Sequence, residues 1–239
     1  MAEKKIITTT EDTEVVTRAR GFWEDYSRPI IIFGTVIILS IAGWYAYQQF
    51  IKQPKEKKAN EMIFAAESLF DKMASTTGFN KDSSILILNG SKEMDITGVL
   101  KVIKDFGGTK AGDRAEFIAG ATYLNMKEFS KAIEHLKEFD ANGAYQVKSK
   151  AYMLLGHAYA EQNKTDEALN NYKKAADVNT KDDAITADAL YMAASYAEAV
   201  SKNSEAIELF NKLKSAYPAY NAVKSGDVDK YLARLGILK

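Results

Sequence analysis

Residues 152–175 read YMLLGHAYAEQNKTDEALNNYKKA. Near-copies of this stretch lie on either side of it. Aligning Gly120, Gly156 and Ala193, at spacings of 36 and 37 residues, brings Tyr123, Tyr159 and Tyr196 into line three positions later. Ala132, Ala168 and Ala206 follow, and four residues beyond them stand Leu136, Tyr172 and Phe210. Phe139, Ala175 and Leu213 share the next place, and Pro218 closes the third copy. A small residue in mid-helix lets a partner helix pack at close range, and an aromatic residue one turn along fills the space beside it. The alanine of the second helix receives side chains of the first. One such helix pair is too small to bury its own apolar face, so consecutive pairs must stack.

These residues resemble the tetratricopeptide repeat, a helix–turn–helix unit that stacks into a solenoid. Tyr152, Leu155, Gly156, Tyr159, Ala168, Tyr172 and Ala175 occupy the signature places in the second unit, while Thr180 stands where the closing proline belongs. The first unit has Glu116 for the opening aromatic; the third has Ala193 for glycine and one additional residue in its internal turn. The resulting fold class is all-α, with units at 113–147, 149–182 and 186–219 and a capping helix at Val228–Leu235.

Upstream, Met62, Ala65, Ala66, Leu69, Phe70 and Met73 recur at three- and four-residue steps, which predicts a helix over 57–74. Residues 76–95 read as a loop containing the apolar run Ile85-Leu86-Ile87-Leu88. A second helix is predicted from Asp95 to Phe106, stopped by Gly107-Gly108. Residues 52–112 then form a linker helix and a degenerate first helix pair.

Before this domain, Pro29 to Ile51 is a 23-residue run without a charge, bounded by Arg28 and Lys52. At about 1.5 Å per residue it spans about 35 Å, enough to cross a hydrocarbon core of roughly 30 Å. Trp23 and Tyr26 precede it, and Trp44, Tyr45, Tyr47 and Phe50 crowd its far end, as in an interfacial belt. The run is too long and too far from the start for a cleaved leader, so it is expected to stay, with residues 1–28 as a tail whose first 15 or so are flexible. Orientation is undecided by charge: five basic and six acidic groups precede the run, and Lys52, Lys55, Lys57 and Lys58 follow it. Gly34, Ala42, Gly43 and Ala46 are either a close-packing patch for another membrane helix or ordinary small residues of a lone anchor.

Lys plus Arg and Asp plus Glu each number 32, a balance that argues against nucleic acid as the main partner. There is no cysteine, which removes disulfides, thiol nucleophiles and thiolate metal sites. His135 and His157 are the two histidines, and no motif ties them to carboxylates at metal-ligand spacing. Gly107-Gly108-Thr109-Lys110 lacks the spacing of a phosphate loop and follows a helix. The reading is a non-enzyme with no catalytic, metal or cofactor residues and no small-molecule substrate.

In tetratricopeptide arrays the first helix of each pair lines a concave groove. Carried over by position, the resemblance implies Phe117, Ala121, Leu124 and Asn125 in the first unit, Lys150, Met153, His157, Ala160 and Glu161 in the second, and Leu190, Ala194, Ala197 and Glu198 in the third. The alternative is that several of these merely complete the core.

The whole layout resembles the YfgM-type ancillary subunits of the bacterial Sec translocon, particularly Bacteroidetes forms. Gln53-Pro54-Lys55-Glu56-Lys57, Phe106-Gly107-Gly108-Thr109-Lys110-Ala111 and Tyr123-Leu124-Asn125-Met126-Lys127 are the segments that carry it. The resemblance implies a single-pass protein of the inner membrane, with a cytoplasmic N-terminus and a periplasmic repeat domain. Its implied partners are a SecYEG-type translocon and a PpiD-like periplasmic chaperone. An adaptor of another envelope complex, for secretion or division, and an accessory whose repeats face the cytoplasm share the same layout.

Overall fold

The computed structural model describes residues 10–178 and 182–237. The expected flexibility of residues 1–9 and the Thr180 position lie outside them. The chain divides into two compact units, Met1–Pro54 and Lys55–Lys239.

The first unit holds helix α1 (Thr10–Tyr47) and a π-helical turn, Gln48–Lys52. The helix runs back from Pro29 to Thr10, through residues that the sequence assigns to a tail. Every large apolar side chain from Ile30 to Ile51 is exposed, Phe50 to 77%. The two aliphatic hydroxyls of this segment are satisfied within the helix: Thr35 Oγ1 donates to the Ile31 carbonyl and Ser40 Oγ to that of Val36, each at 2.8 Å. From Ile30 to Gly43 the segment therefore offers its surroundings hydrocarbon with its hydroxyls bonded internally.

The second unit begins with α2 (Gln53–Lys72), which buries Ala59, Ile63 and Ala66. The segment read as a loop is in fact a helix, α3 (Lys81–Asn89). Asn80 caps it, its Oδ1 accepting from the Ser83 N–H at 2.8 Å while Ser83 Oγ faces the Asn80 N–H, and Ile87 and Leu88 enter the core. The run Ile85–Leu88 is thus one helix turn with Ile85 exposed and Ile87 and Leu88 buried, too short for periodicity to declare itself. The chain then makes a two-residue antiparallel ladder, β1 (Gly90–Ser91) with β2 (Ile96–Thr97), before α4 (Val99–Phe106). The second helix therefore starts four residues later than Asp95, which has a positive φ of 52°.

Gly107-Gly108 ends α4, and Thr109 caps the next helix, α5 (Lys110–Asn125), accepting from the Gly112 N–H at 3.0 Å. The free N–H groups of Lys110 and Ala111 donate to the Glu56 carboxylate of α2 at 2.9 and 3.2 Å. An anion does sit at this helix N-terminus, and it is the protein's own.

Three helix pairs follow: α5 with α6 (Phe129–Glu138), α7 (Tyr145–Glu161) with α8 (Thr165–Asp177), and α9 (Asp183–Ala199) with α10 (Asn203–Ala216). Short α11 (Asn221–Lys224) and α12 (Asp227–Arg234) complete the chain, α12 burying Val228 and Leu232 where a capping helix is expected. Each pair turns through one residue in the left-handed region: Lys127 (φ 62°), Asn163 (φ 59°) and Ser201 (φ 61°). Behind it the next N–H closes a six-residue ring, from Glu128 to the Tyr123 carbonyl at 2.9 Å, Lys164 to Tyr159 at 2.9 Å and Lys202 to Ala197 at 2.8 Å.

These bonds correct the register of the third unit. Its turn has the same length as the others, and α7 and α9 are both 17 residues long. Counted from the turn, Ala194 takes the place of Gly156, and Ala197 that of Tyr159. The additional residues precede α9 instead of entering the turn. Alanines at 193, 194 and 197 are all fully buried, so a one-residue slip leaves the apolar pattern of the sequence unchanged.

The close approach inferred from the glycines is present. A β-carbon on Gly156 would lie 2.5 Å from Cε1 of Tyr172, and one on Gly120 would lie 2.5 Å from Cγ of Leu136. Tyr172 is 2% exposed and has little room to withdraw. Gly156→Ala is therefore expected to destabilise the full-length protein by about 1–3 kcal/mol. Urea unfolding of the variant beside wild type measures this; an unchanged midpoint would mean the helix pair has slack that the packing denies.

Candidate functional site

Helices α5, α7 and α9 present one face together. Arg114, Phe117, Leu124 and Asn125 lie on it from α5; Lys150, Met153, His157, Ala160 and Glu161 lie on it from α7. In the register set by the turns, α9 contributes Asp188, Tyr191, Ser195, Glu198 and Ala199. Part of this last stretch is taken by the C-terminal segment. Tyr220 Oη donates to Asp188 at 2.8 Å, and Arg234 pairs with Glu198 at 3.0 Å. The Tyr191 ring lies 5.9 Å from that of Tyr220 and 6.1 Å from that of Tyr231. Burial, then the Asp188 hydrogen bond, push the Tyr220 phenol well above its usual range, so it remains a donor at any ordinary pH.

The other end of the face is open. There a cavity of about 390 Å³ lies between α2, α5 and the α6–α7 connection. Phe70, Phe117, Ile118, Phe139 and Val147 give it an apolar lining. Phe117 and Phe139 meet with ring centroids 5.4 Å apart. Arg114 at the rim is held by Glu67 of α2 (Nε–Oε1 2.7 Å, Nη2–Oε2 3.3 Å) and by Asn60 (2.9 Å), which fixes α2 as one wall. Asn142 closes the opposite side, donating to Asp113 at 2.6 Å. Desolvation raises the Asp113 pKa above the ordinary carboxyl value, with the Asn142 bond opposing it. The arrangement is a hydrophobic socket with a polar rim, suited to one bulky apolar side chain of a peptide whose backbone meets the rim.

The family model for the tetratricopeptide repeat-like domain matches residues 20–217, more than half of the chain. The chain belongs to the tetratricopeptide repeat-like family. Comparison with curated proteins finds no match. Among solved structures, the crystal structure of MamA protein is similar at 20% identity over 74% of this chain and 87% of that chain, with a TM-score of 0.45.

The tetratricopeptide register explains where each groove residue expected from the sequence falls. Phe117, Leu124, Met153, His157 and Ala160 are partly exposed on the shared face, and Asn125, Lys150 and Glu161 are open to solvent. Asn125 turns its amide back onto the Ala121 carbonyl at 2.8 Å. Ala121 is 5% exposed and floors the groove. Leu190, Ala194 and Ala197 are core residues, each at most 1% exposed, because the third unit was read one residue out of phase; Glu198 lies on the face but is engaged by Arg234. Glu67 and Val147 of the socket carry no signal in the sequence, Phe70 figures there only in the apolar stripe of its helix, and Phe139 only as the counterpart of Ala175 and Leu213. Nothing local indicates that Phe70 meets residues of α5 and α7.

His157 bridges face and core. Its Nδ1 is 2.9 Å from Tyr172 Oη, and the rings meet edge-on at 5.4 Å. Desolvation lowers the imidazole pKa, with Glu161 opposing it, and burial raises that of the Tyr172 phenol. Both groups are thus held neutral. A base with a depressed folded pKa stabilises the fold above its unfolded pKa of about 6.5, and that stability is lost as pH falls through the lower folded value. The thermal midpoint of the full-length protein is expected to drop on acidification below about pH 6.5. His157→Gln should flatten that drop; an identical slope in the variant would remove His157 as its source.

Proposed function

We propose that this tetratricopeptide protein is a membrane-anchored scaffold of the bacterial Sec translocon, recruiting a periplasmic chaperone and helping hand newly translocated proteins to it. The observation that carries the reading is the pairing in one chain of an uncovered apolar helix with a repeat domain that holds an open apolar socket. Helix α1 supports it by being long and apolar enough to cross a membrane, with the Thr35 and Ser40 hydroxyls bonded to its own backbone. The layout resembles the YfgM-type translocon subunits, which supplies the orientation: N-terminus in the cytoplasm, repeats in the periplasm. Ala42 and Ala46, one turn apart and exposed, with Gly43 next to Ala42, give a small-residue surface on which a helix of the translocon can pack closely, and Gly34 further along the helix has open space where a β-carbon would stand. The socket beside Phe117 then takes an apolar side chain of the chaperone.

Affinity purification from gently solubilised membranes should recover SecYEG-type subunits together with a PpiD-like chaperone. Phe117→Asp, which places a charge in the socket, should deplete the chaperone at least about tenfold while the translocon is retained. Recovery of neither partner by the wild-type protein would sink the assignment. The chain has no cysteine, so a single cysteine beside Lys239 reports topology cleanly. It should react with an impermeant maleimide once the outer membrane is opened, and labelling only after inner-membrane lysis would place the repeats in the cytoplasm instead.

A further inference from the structure

The opposite face of α7 carries a second cavity, of about 380 Å³, between the outer helices α6 and α8. Its floor is apolar and well packed: Leu136, Leu155 and Tyr159 are each under a tenth exposed. Around the mouth stand Lys137 from α6, Lys148 from α7 and Lys174 from α8, with Glu167 as the acidic residue of the lining. A shallower extension shares Lys148, Tyr152 and Lys174, so the groove continues along the helix pair toward Tyr145.

Among the described residues, none of these three lysines has a carboxylate within ion-pair distance, although some cations close by do. Lys173 of α8, on the other side of the same helix, pairs with Glu205, and Lys202 pairs with Asp166. Lys174 instead lies over the Tyr152 ring, 6.0 Å from its centroid, and Lys137 is hydrogen-bonded to the Tyr159 side chain, its Nζ 5.7 Å from that ring's centroid. Neither an aromatic face nor a phenol hydroxyl neutralises the ammonium it holds. The lysines are therefore partly preorganised and keep their full charge, in a protein whose net charge is zero. Carboxylates brought here gain three cations at once, and an apolar side chain between them meets the Leu136–Leu155 floor.

We propose that this outer groove is a second docking site, and that it binds an acidic peptide segment of a partner protein, with two or three carboxylates flanking one apolar side chain. It shares no charged residue with the socket on the inner face, and the two have Phe139 as a common wall. Charge complementarity selects the occupant: a basic or neutral segment would leave the three lysines without counter-charge.

The test uses the full-length protein in detergent micelles and a fluorescent peptide of alternating glutamates and aspartates around a central leucine. Its control is the same peptide with glutamine and asparagine. The acidic peptide should bind with an affinity that falls as salt rises, and the neutral one at least about tenfold more weakly. Lys137→Glu with Lys148→Glu and Lys174→Glu should abolish binding without moving the thermal midpoint, while Phe70→Asp, in the socket and away from the outer groove, leaves binding unchanged. If the triple variant fails to fold, the exposed Lys148→Glu alone should still weaken binding severalfold. Equal binding of the two peptides, indifference to the lysine substitutions, or loss through Phe70→Asp would each overturn the proposal. So would anionic phospholipid vesicles binding in a Lys148-dependent way while the peptide does not, which would make the groove a headgroup site. Because Phe70 lines the socket alone and the three lysines line the outer groove alone, failure of the outer groove leaves the scaffold reading of the inner face intact, and the reverse.

Discussion

The distance between the two helices of a repeat is set where a backbone without a side chain meets a large one. At Gly156 the α7 backbone lies against the Tyr172 ring, and at Gly120 the α5 backbone lies against Leu136. Van der Waals packing at that range leaves no place for a β-carbon, and it pins the ridge of one helix into the groove of the other. The third pair reaches the same end with Ala194 and Phe210, both fully buried. Because each pair is locked in this way, its outer faces become defined surfaces on which the next pair stacks.

Turn chemistry supplies the second constraint. A single left-handed residue at 127, 163 and 201 and a recurring six-residue hydrogen-bonded ring reverse the chain identically three times. None of these residues is glycine, so each turn holds a strained residue whose conformation the packed helices on either side enforce. The turn thus transmits register from one helix to the next. That register decides which residues of α9 face outward and which are buried.

The two ends of the stack are finished differently, and this shapes the binding surface. At the C-terminal end, Tyr220, Tyr231 and Arg234 cover the face of α9, occupying groove positions with the chain's own side chains. At the other end α2 is tied to α5 by Glu56 on the helix N-terminus and by Glu67 on Arg114, and it forms a wall instead of a lid. The inner face is therefore open between α2 and α7 and closed at α9.

The sequence by itself determined the repeat. Gly156, Tyr172 and their counterparts report contacts inside a single helix pair, whose partners are fewer than 40 residues apart and recur in phase. It also determined the length and apolarity of the stretch in α1, which are matters of composition, while its exposure is a finding of the structure. The tertiary structure decided the rest. Ala193, Ala194 and Ala197 look alike to any pattern of apolarity, and only the hydrogen bonds behind Ser201 place them. Helix α3 is too short to show a period, and its cap becomes visible only with Asn80 and Ser83 in position. The socket joins Phe70, Phe117 and Val147, and the outer groove joins lysines of three helices. Both are built by stacking, a long-range event in which residues carrying no local signal become neighbours.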